Sequence, residues 1–236
     1  MSPLQPSCLI PTALCFLAVL LSSCSGERGA SDAGQPSESE AVQGTAVSHF
    51  NTYTDVDDSV VAIAVVENTR ETPLETVEIA MILKDANGDE IKRRGASIPL
   101  LPPGEAIPVK VVFDDAGEHD RASVEPLVWR ASRSGDPGID SDFALSGIEE
   151  TAAPPASSYL HEVTGTVENT GSTEADFITV HAAFFDAGGE LTAVGTGGVD
   201  EALAPGAKGD FSIGTNTAAG EIARTELSVA GARTSA

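Results

Sequence analysis

Residues 163–189 read VTGTVENTGSTEADFITVHAAFFDAGG, and their period decides the fold. Val163, Gly165 and Val167 alternate with Thr164, Thr166 and Glu168. Ile178, Val180, Ala182 and Phe184 alternate with Thr179, His181, Ala183 and Phe185. A period of two sends successive side chains to opposite faces, which is the mark of β-strands. Asn169 ends the first run before a turn, where a short amide bonds the backbone well. Asp186 opens Asp-Ala-Gly-Gly, hairpin-turn chemistry with glycine available for positive φ.

Working outward, the same stretch occurs earlier in the chain. VENT stands at Val66 and again at Val167, an offset of 101. Asp85 in KDANGDE matches Asp186 in FDAGGEL at that offset, and LPPGE from Leu101 matches LAPGA from Leu203 at 102. Three ordered matches at a nearly constant offset identify a tandem duplication. In the first copy Val77, Ile79, Met81 and Leu83 repeat the alternation. Ile107, Val109, Val111 and Phe113 face one way, with Phe211 and Ile213 matching the middle of that set. Neither copy shows helical periodicity. Short alternating strands separated by turns predict an all-β chain of two tandem antiparallel β-sandwiches. The first spans residues 46–134, the linker 132–140 includes SRSGDPG, and the second spans 141–234, with Phe143 and Leu145 in a first strand. Residues 60–66 are apolar on both faces. Either this is a central strand, or its outer face docks on the second domain or on a partner.

The N-terminal part has a different character. Cys8, Cys15 and Cys24 are the three cysteines, so nothing beyond Cys24 forms a disulfide or a thiolate metal site. Residues 9–21 are apolar and uncharged, too short a run for the ~20 helical residues that span a bilayer but suited to a secretory signal. Leu21-Ser22-Ser23-Cys24 (LSSC) resembles the lipobox of bacterial lipoproteins. That resemblance implies a signal peptide over residues 1–23, cleavage after Ser23 and a lipid on Cys24. Each buried methylene contributes roughly 0.8 kcal/mol, so the two or three acyl chains usual in such proteins anchor firmly. Residues 24–45 are rich in Ser, Gly and Glu without apolar period and read as a flexible tether. About 21 residues give an r.m.s. reach of roughly 25 Å.

The second copy also carries Gly165, Val167, Asn169, Phe184, Phe185, Asp186, Gly189, Leu203, Pro205, Gly206 and Phe211 in order. This resembles the FxLYD-type domain of bacterial and archaeal envelope proteins, which implies immunoglobulin-like sandwiches and brings no catalytic chemistry. The eponymous Phe position holds Ala182 and Met81, and the Tyr position Phe185 and Lys84.

Composition narrows the functions. In 236 residues there are 36 acidic and 13 basic side chains, a formal charge of −23. Such a chain lacks the positive footprint of a nucleic-acid binder and has no electrostatic grip on anionic lipid. The excess of carboxylates fits either an acidic envelope protein or one from a high-salt habitat, where salt screens their repulsion. There is no Gly-x-Ser-x-Gly elbow, no cysteine in the folded part, no Gly-rich phosphate loop and no paired-histidine motif. No enzyme and no cofactor are expected. His181 is expected to be a solvated histidine on the outward face of its strand.

Candidate binding residues fall where the copies differ. They are Asp55, Asp57 and Asp58 in TDVDD, the pair Arg93 and Arg94, and Trp129. The acidic turns, including Asp85, Asn87, Asp89 and Glu90, also raise calcium or small-ligand binding as an alternative, although their spacing departs from an EF-hand loop. The leading expectation is a non-enzymatic, exported lipoprotein. It would be held to a bacterial membrane through Cys24 and serve as a protein-interaction or spacer module toward an envelope protein.

Overall fold

A computed structural model of the chain describes residues 44–116, 119–131, 139–140, 142–152 and 160–232, and of residues 126–131 and 139–140 the backbone alone. Cys24, the apolar run before it and the tether up to residue 43 lie outside the described residues. The described chain is all β, with no helix. The first sandwich contains β1 (Thr45–Thr54), β2 (Val60–Asn68), β3 (Leu74–Lys84), β4 (Glu90–Leu101), β5 (Ala106–Phe113) and β6 (Arg121–Ala131). A two-residue strand, β7 (Ile139–Asp140), falls within the expected linker. The second sandwich contains β8 (Phe143–Ala152), β9 (His161–Asn169), β10 (Asp176–Phe185), β11 (Leu191–Gly198), β12 (Lys208–Thr215) and β13 (Arg224–Ala232).

The duplication read from the sequence is a duplication of topology. The sheets of the first sandwich run β1-β2-β5 and β4-β3-β6, and those of the second run β8-β9-β12 and β11-β10-β13, with β7 added beside β13. All pairings are antiparallel. Pairing β2 with β5 and β3 with β6 interlocks the two sheets, the Greek-key arrangement of immunoglobulin-like sandwiches.

The alternation sorts the cores as expected. Val60, Ala62, Ala64 and Val66 of β2 meet Val77, Ile79, Met81 and Leu83 of β3 and Ile107, Val109, Val111 and Phe113 of β5. In the second sandwich Val163 and Val167 meet Ile178, Val180, Ala182, Phe184, Phe211 and Ile213. Gly165 keeps its place in the inward series because a Cβ there would lie 2.8 Å from the Phe211 ring. The absent side chain is the space that the phenyl fills.

One buried asparagine fastens each sandwich, in the same way in both. Asn68 Nδ2 donates to the Thr72 and Leu101 carbonyls, both at 3.0 Å, and its Oδ1 accepts from Arg70 N–H at 2.9 Å. Asn169 repeats this with Thr173 at 2.8 Å, Leu203 at 2.7 Å and Gly171 N–H at 2.9 Å. Both side chains are fully buried. One amide therefore ties the end of a core strand to its own turn and to the chain arriving from the opposite sheet. The Asp hairpins are equally matched. Asp85 Oδ1 accepts from Asn87 and Asp89 N–H, Asp186 Oδ1 from Gly188 and Glu190 N–H, and Gly88 and Gly189 take φ of 92° and 84°.

Candidate functional site

The acidic segment forms a self-satisfied β1–β2 turn. Asp55 N–H bonds the Ser59 carbonyl at 2.8 Å, and Asp57 Oδ1 accepts from the Ser59 hydroxyl and N–H at 2.5 and 3.2 Å. The Ser59 bonds hold the Asp57 carboxyl below its ordinary range. Asp58 sits at φ 64°, in the left-handed region that Asp tolerates better than most residues. At the other acidic turn the Asp85 carboxyl is lowered first by the Asp89 N–H. Among the described residues no group of three or more His, Cys, Asp and Glu side chains converges as a metal-binding set would.

Arg93 and Arg94 lie on β4, each against a carboxylate of its own sandwich. Arg93 Nε and NH2 donate to Glu90 at 3.1 and 2.7 Å, with Glu125 at 3.8 Å, and Arg94 NH2 reaches Asp114 at 3.0 Å. These exposed pairs are worth little individually. Trp129 lies on β6, and its side chain is outside the described residues.

The structure brings together a different set. The outer face of β2, the one the sequence left open, packs on the second sandwich. Val61, Ile63 and Val65 form one buried cluster with Ala183 and Phe185 of β10 and Leu191 and Val194 of β11. Polar bonds cross the same seam: Asn51 Nδ2 donates to the Leu191 carbonyl at 2.8 Å, and the Tyr53 and Thr217 hydroxyls are 2.8 Å apart. Burial raises the Tyr53 phenol above its ordinary pKa, more than the Thr217 bond lowers it. The Phe185 ring is capped by Arg224 at 4.1 Å and meets His49 edge-on at 5.0 Å. Two outer sheet faces that would each be wet in isolated domains thus make a third core. The two sandwiches belong to one compact unit.

This packing leaves His181 half-buried rather than fully solvated. It does lie on the outward face of β10, but that face turns toward the first sandwich. Desolvation lowers its pKa to about 4, and its Nδ1 lies 3.3 Å from Thr196 Oγ1. The imidazole is therefore neutral at pH 7.

His181 stands in the wall of a groove of about 940 Å³ beside the seam. One wall is the open side of the first sandwich: Ile98, Pro99 and Leu100 of β4 and Ile107, Pro108 and Val109 of β5, with Lys110. The other is the outer face of the β11-β10-β13 sheet: Thr179, His181, Gly195, Thr196 and Ala230, with Phe177. Both β4 and β5 are edge strands. Half the backbone groups of an edge strand point away from its sheet. Thr76 and Phe177, equivalent residues of the two copies, both line the groove and both have positive φ, 53° and 51°. In each copy the strand register breaks there, between Glu75 and Glu78 and between Asp176 and Thr179. The bulge belongs to the repeated fold. What is particular to the second copy is that it projects a phenyl ring 75% exposed.

The groove offers apolar surface, hydroxyls, one cation and strand edges, which is binding chemistry. Its residues lie on seven separate strands, so no linear motif marks it. The one sequence signal was the double-faced apolar β2. No helix among the described residues is long and apolar enough to cross a membrane. No family model matches the chain, and no curated protein matches it.

Proposed function

We propose that this chain is an exported, lipid-anchored envelope protein without catalytic activity. Cys24 carries the anchor, the Ser/Gly/Glu-rich tether gives reach, and two FxLYD-like immunoglobulin-like sandwiches act as an interaction module for an envelope protein. The observation that carries the binding role is the groove of about 940 Å³, walled by apolar side chains and by two unpaired strand edges. A chain serving only as a spacer has no need of an open apolar groove between its domains. The lipobox-like LSSC before Cys24 supports the anchor.

The test is in-cell crosslinking of the full-length protein with mass spectrometry of what is captured, beside Cys24→Ala. We expect the wild type in the membrane fraction with a reproducible partner, and the variant released with that partner lost or changed. Cys24→Ala protein that stays in the membrane fraction would overturn the anchor. Wild-type protein in the membrane fraction with no partner would overturn the interaction role and leave a spacer.

A further inference from the structure

The groove is continuous with strand edges, and that narrows what fits it. A small apolar ligand would cover the exposed parts of Pro99, Leu100 and Phe177 but leave the outward backbone groups of β4 without partners. An extended polypeptide satisfies both, because its own N–H and C=O groups continue the sheet while alternate side chains enter the groove. Of the two edges, β4 is the longer, 12 residues against 8, and it lines the groove over residues 96–100, where β5 lines it over 107–110. Each lining segment carries one proline, Pro99 in β4 and Pro108 in β5, and each removes one donor from its edge. The facing wall carries short side chains at Thr179 and Thr196, which leaves room for a strand.

Charge adds a second requirement. Lys84 pairs with Glu125, Lys208 with Glu168, and Lys92 donates to the Asp114 and Asp115 carbonyls. Lys110, in the groove wall, has no such partner among the described residues. The other charged side chain in the lining, Glu75, is buried and already engaged. In a chain of net charge −23, an unpaired ammonium beside an apolar groove is a local complement for one carboxylate.

Resting on the interaction role above, we propose that the groove binds an extended, apolar segment of a partner protein. The segment adds antiparallel to the edge of β4 and places one acidic side chain against Lys110.

The probe is a random dodecapeptide library displayed on phage without free C-termini, panned on the full-length protein in detergent micelles. The best binder is then synthesised. We expect selected peptides to alternate apolar residues and to carry an acidic one. N-methylation should abolish binding at every second residue, because only alternate N–H groups face β4. Lys110→Glu should weaken binding about tenfold or more. Thr196→Trp, an exposed position whose indole fills the groove, should abolish it while leaving the urea midpoint unchanged. No enrichment over the micelle control, binding that survives Thr196→Trp, or N-methyl sensitivity without a period of two would each overturn the proposal. A cellular partner still captured by Thr196→Trp protein would leave the interaction role standing and remove this site from it.

Discussion

Replacing Asn169 with alanine removes three hydrogen bonds at a side chain with no exposure to water: two donated to the Thr173 and Leu203 carbonyls and one accepted from Gly171 N–H. At about 1 kcal/mol net each, the bonds alone amount to about 3 kcal/mol. Leu203 is 3% exposed, so its carbonyl does not regain a full water partner, and the total loss should reach about 3–4 kcal/mol. With a slope of about 2 kcal/mol per molar urea, the midpoint of the full-length protein should fall by about 1.5–2 M. Asn68→Ala removes the equivalent three bonds in the first sandwich and should cost the same within about 1 kcal/mol. Asn169→Asp is the sharper control. It keeps an acceptor for Gly171 but turns an oxygen toward two carbonyls, so at pH 7 it should be at least as damaging as alanine, and it should recover partly in acid as the carboxyl protonates. The assay is equilibrium unfolding followed by circular dichroism. A shift below about 0.5 M for both alanine variants would refute the reasoning, since such bonds would then add nothing beyond what water supplies.

Phe185→Ala empties the centre of the seam, including its contacts with Arg224 and His49, and should cost about 3–5 kcal/mol and expose the seam to limited proteolysis. An unchanged midpoint would mean that the domains are not held by this ring. His181, with its pKa lowered to about 4 by burial, binds a proton in the unfolded chain before the folded one. Its contribution to stability is present above pH 6.5 and is lost as pH falls from 6.5 toward about 4. His181→Asn should therefore flatten the urea-midpoint profile over that window, and superimposable profiles would contradict it. Gly197→Ala drives a Cβ to 2.4 Å from the Ser212 carbonyl and should destabilise by about 1–3 kcal/mol, checked by thermal melting. Raising NaCl from 0.1 to 1 M shortens screening from about 10 to about 3 Å and should raise the urea midpoint of a chain at −23. A circular dichroism spectrum and midpoint unaffected by salt would exclude a high-salt adaptation.

Strands whose alternation serves one dry face were legible in the sequence. The inward series of β3, β5, β9, β10 and β12 and the turns at Asp85 and Asp186 could be placed by period and glycine alone, and the double-faced β2 already held the hint of docking. β1 and β4 were not legible. TAVSHFNTYT and EIKRRGASIPLL mix polar residues on both faces, because β1 shares its outer face with the seam and the exposed part of β4 carries ion pairs. The acidic turn was conspicuous in the sequence yet spends its carboxylates on its own backbone. The groove was silent because its walls meet only after two sandwiches have packed. His181 was placed on the correct face, but its half-burial could not be read for the same reason: period gives the face of a strand, and only the neighbouring domain decides how wet that face is.

The central claim is that the two sandwiches form one rigid body, without which the groove has no second wall. ¹⁵N relaxation of the full-length protein in micelles tests it most directly. We expect residues of β2, β3, β9 and β10 to report one common rotational diffusion tensor, with Phe185→Ala splitting it in two. Two separate correlation times in the wild type would contradict the claim and remove the groove with it.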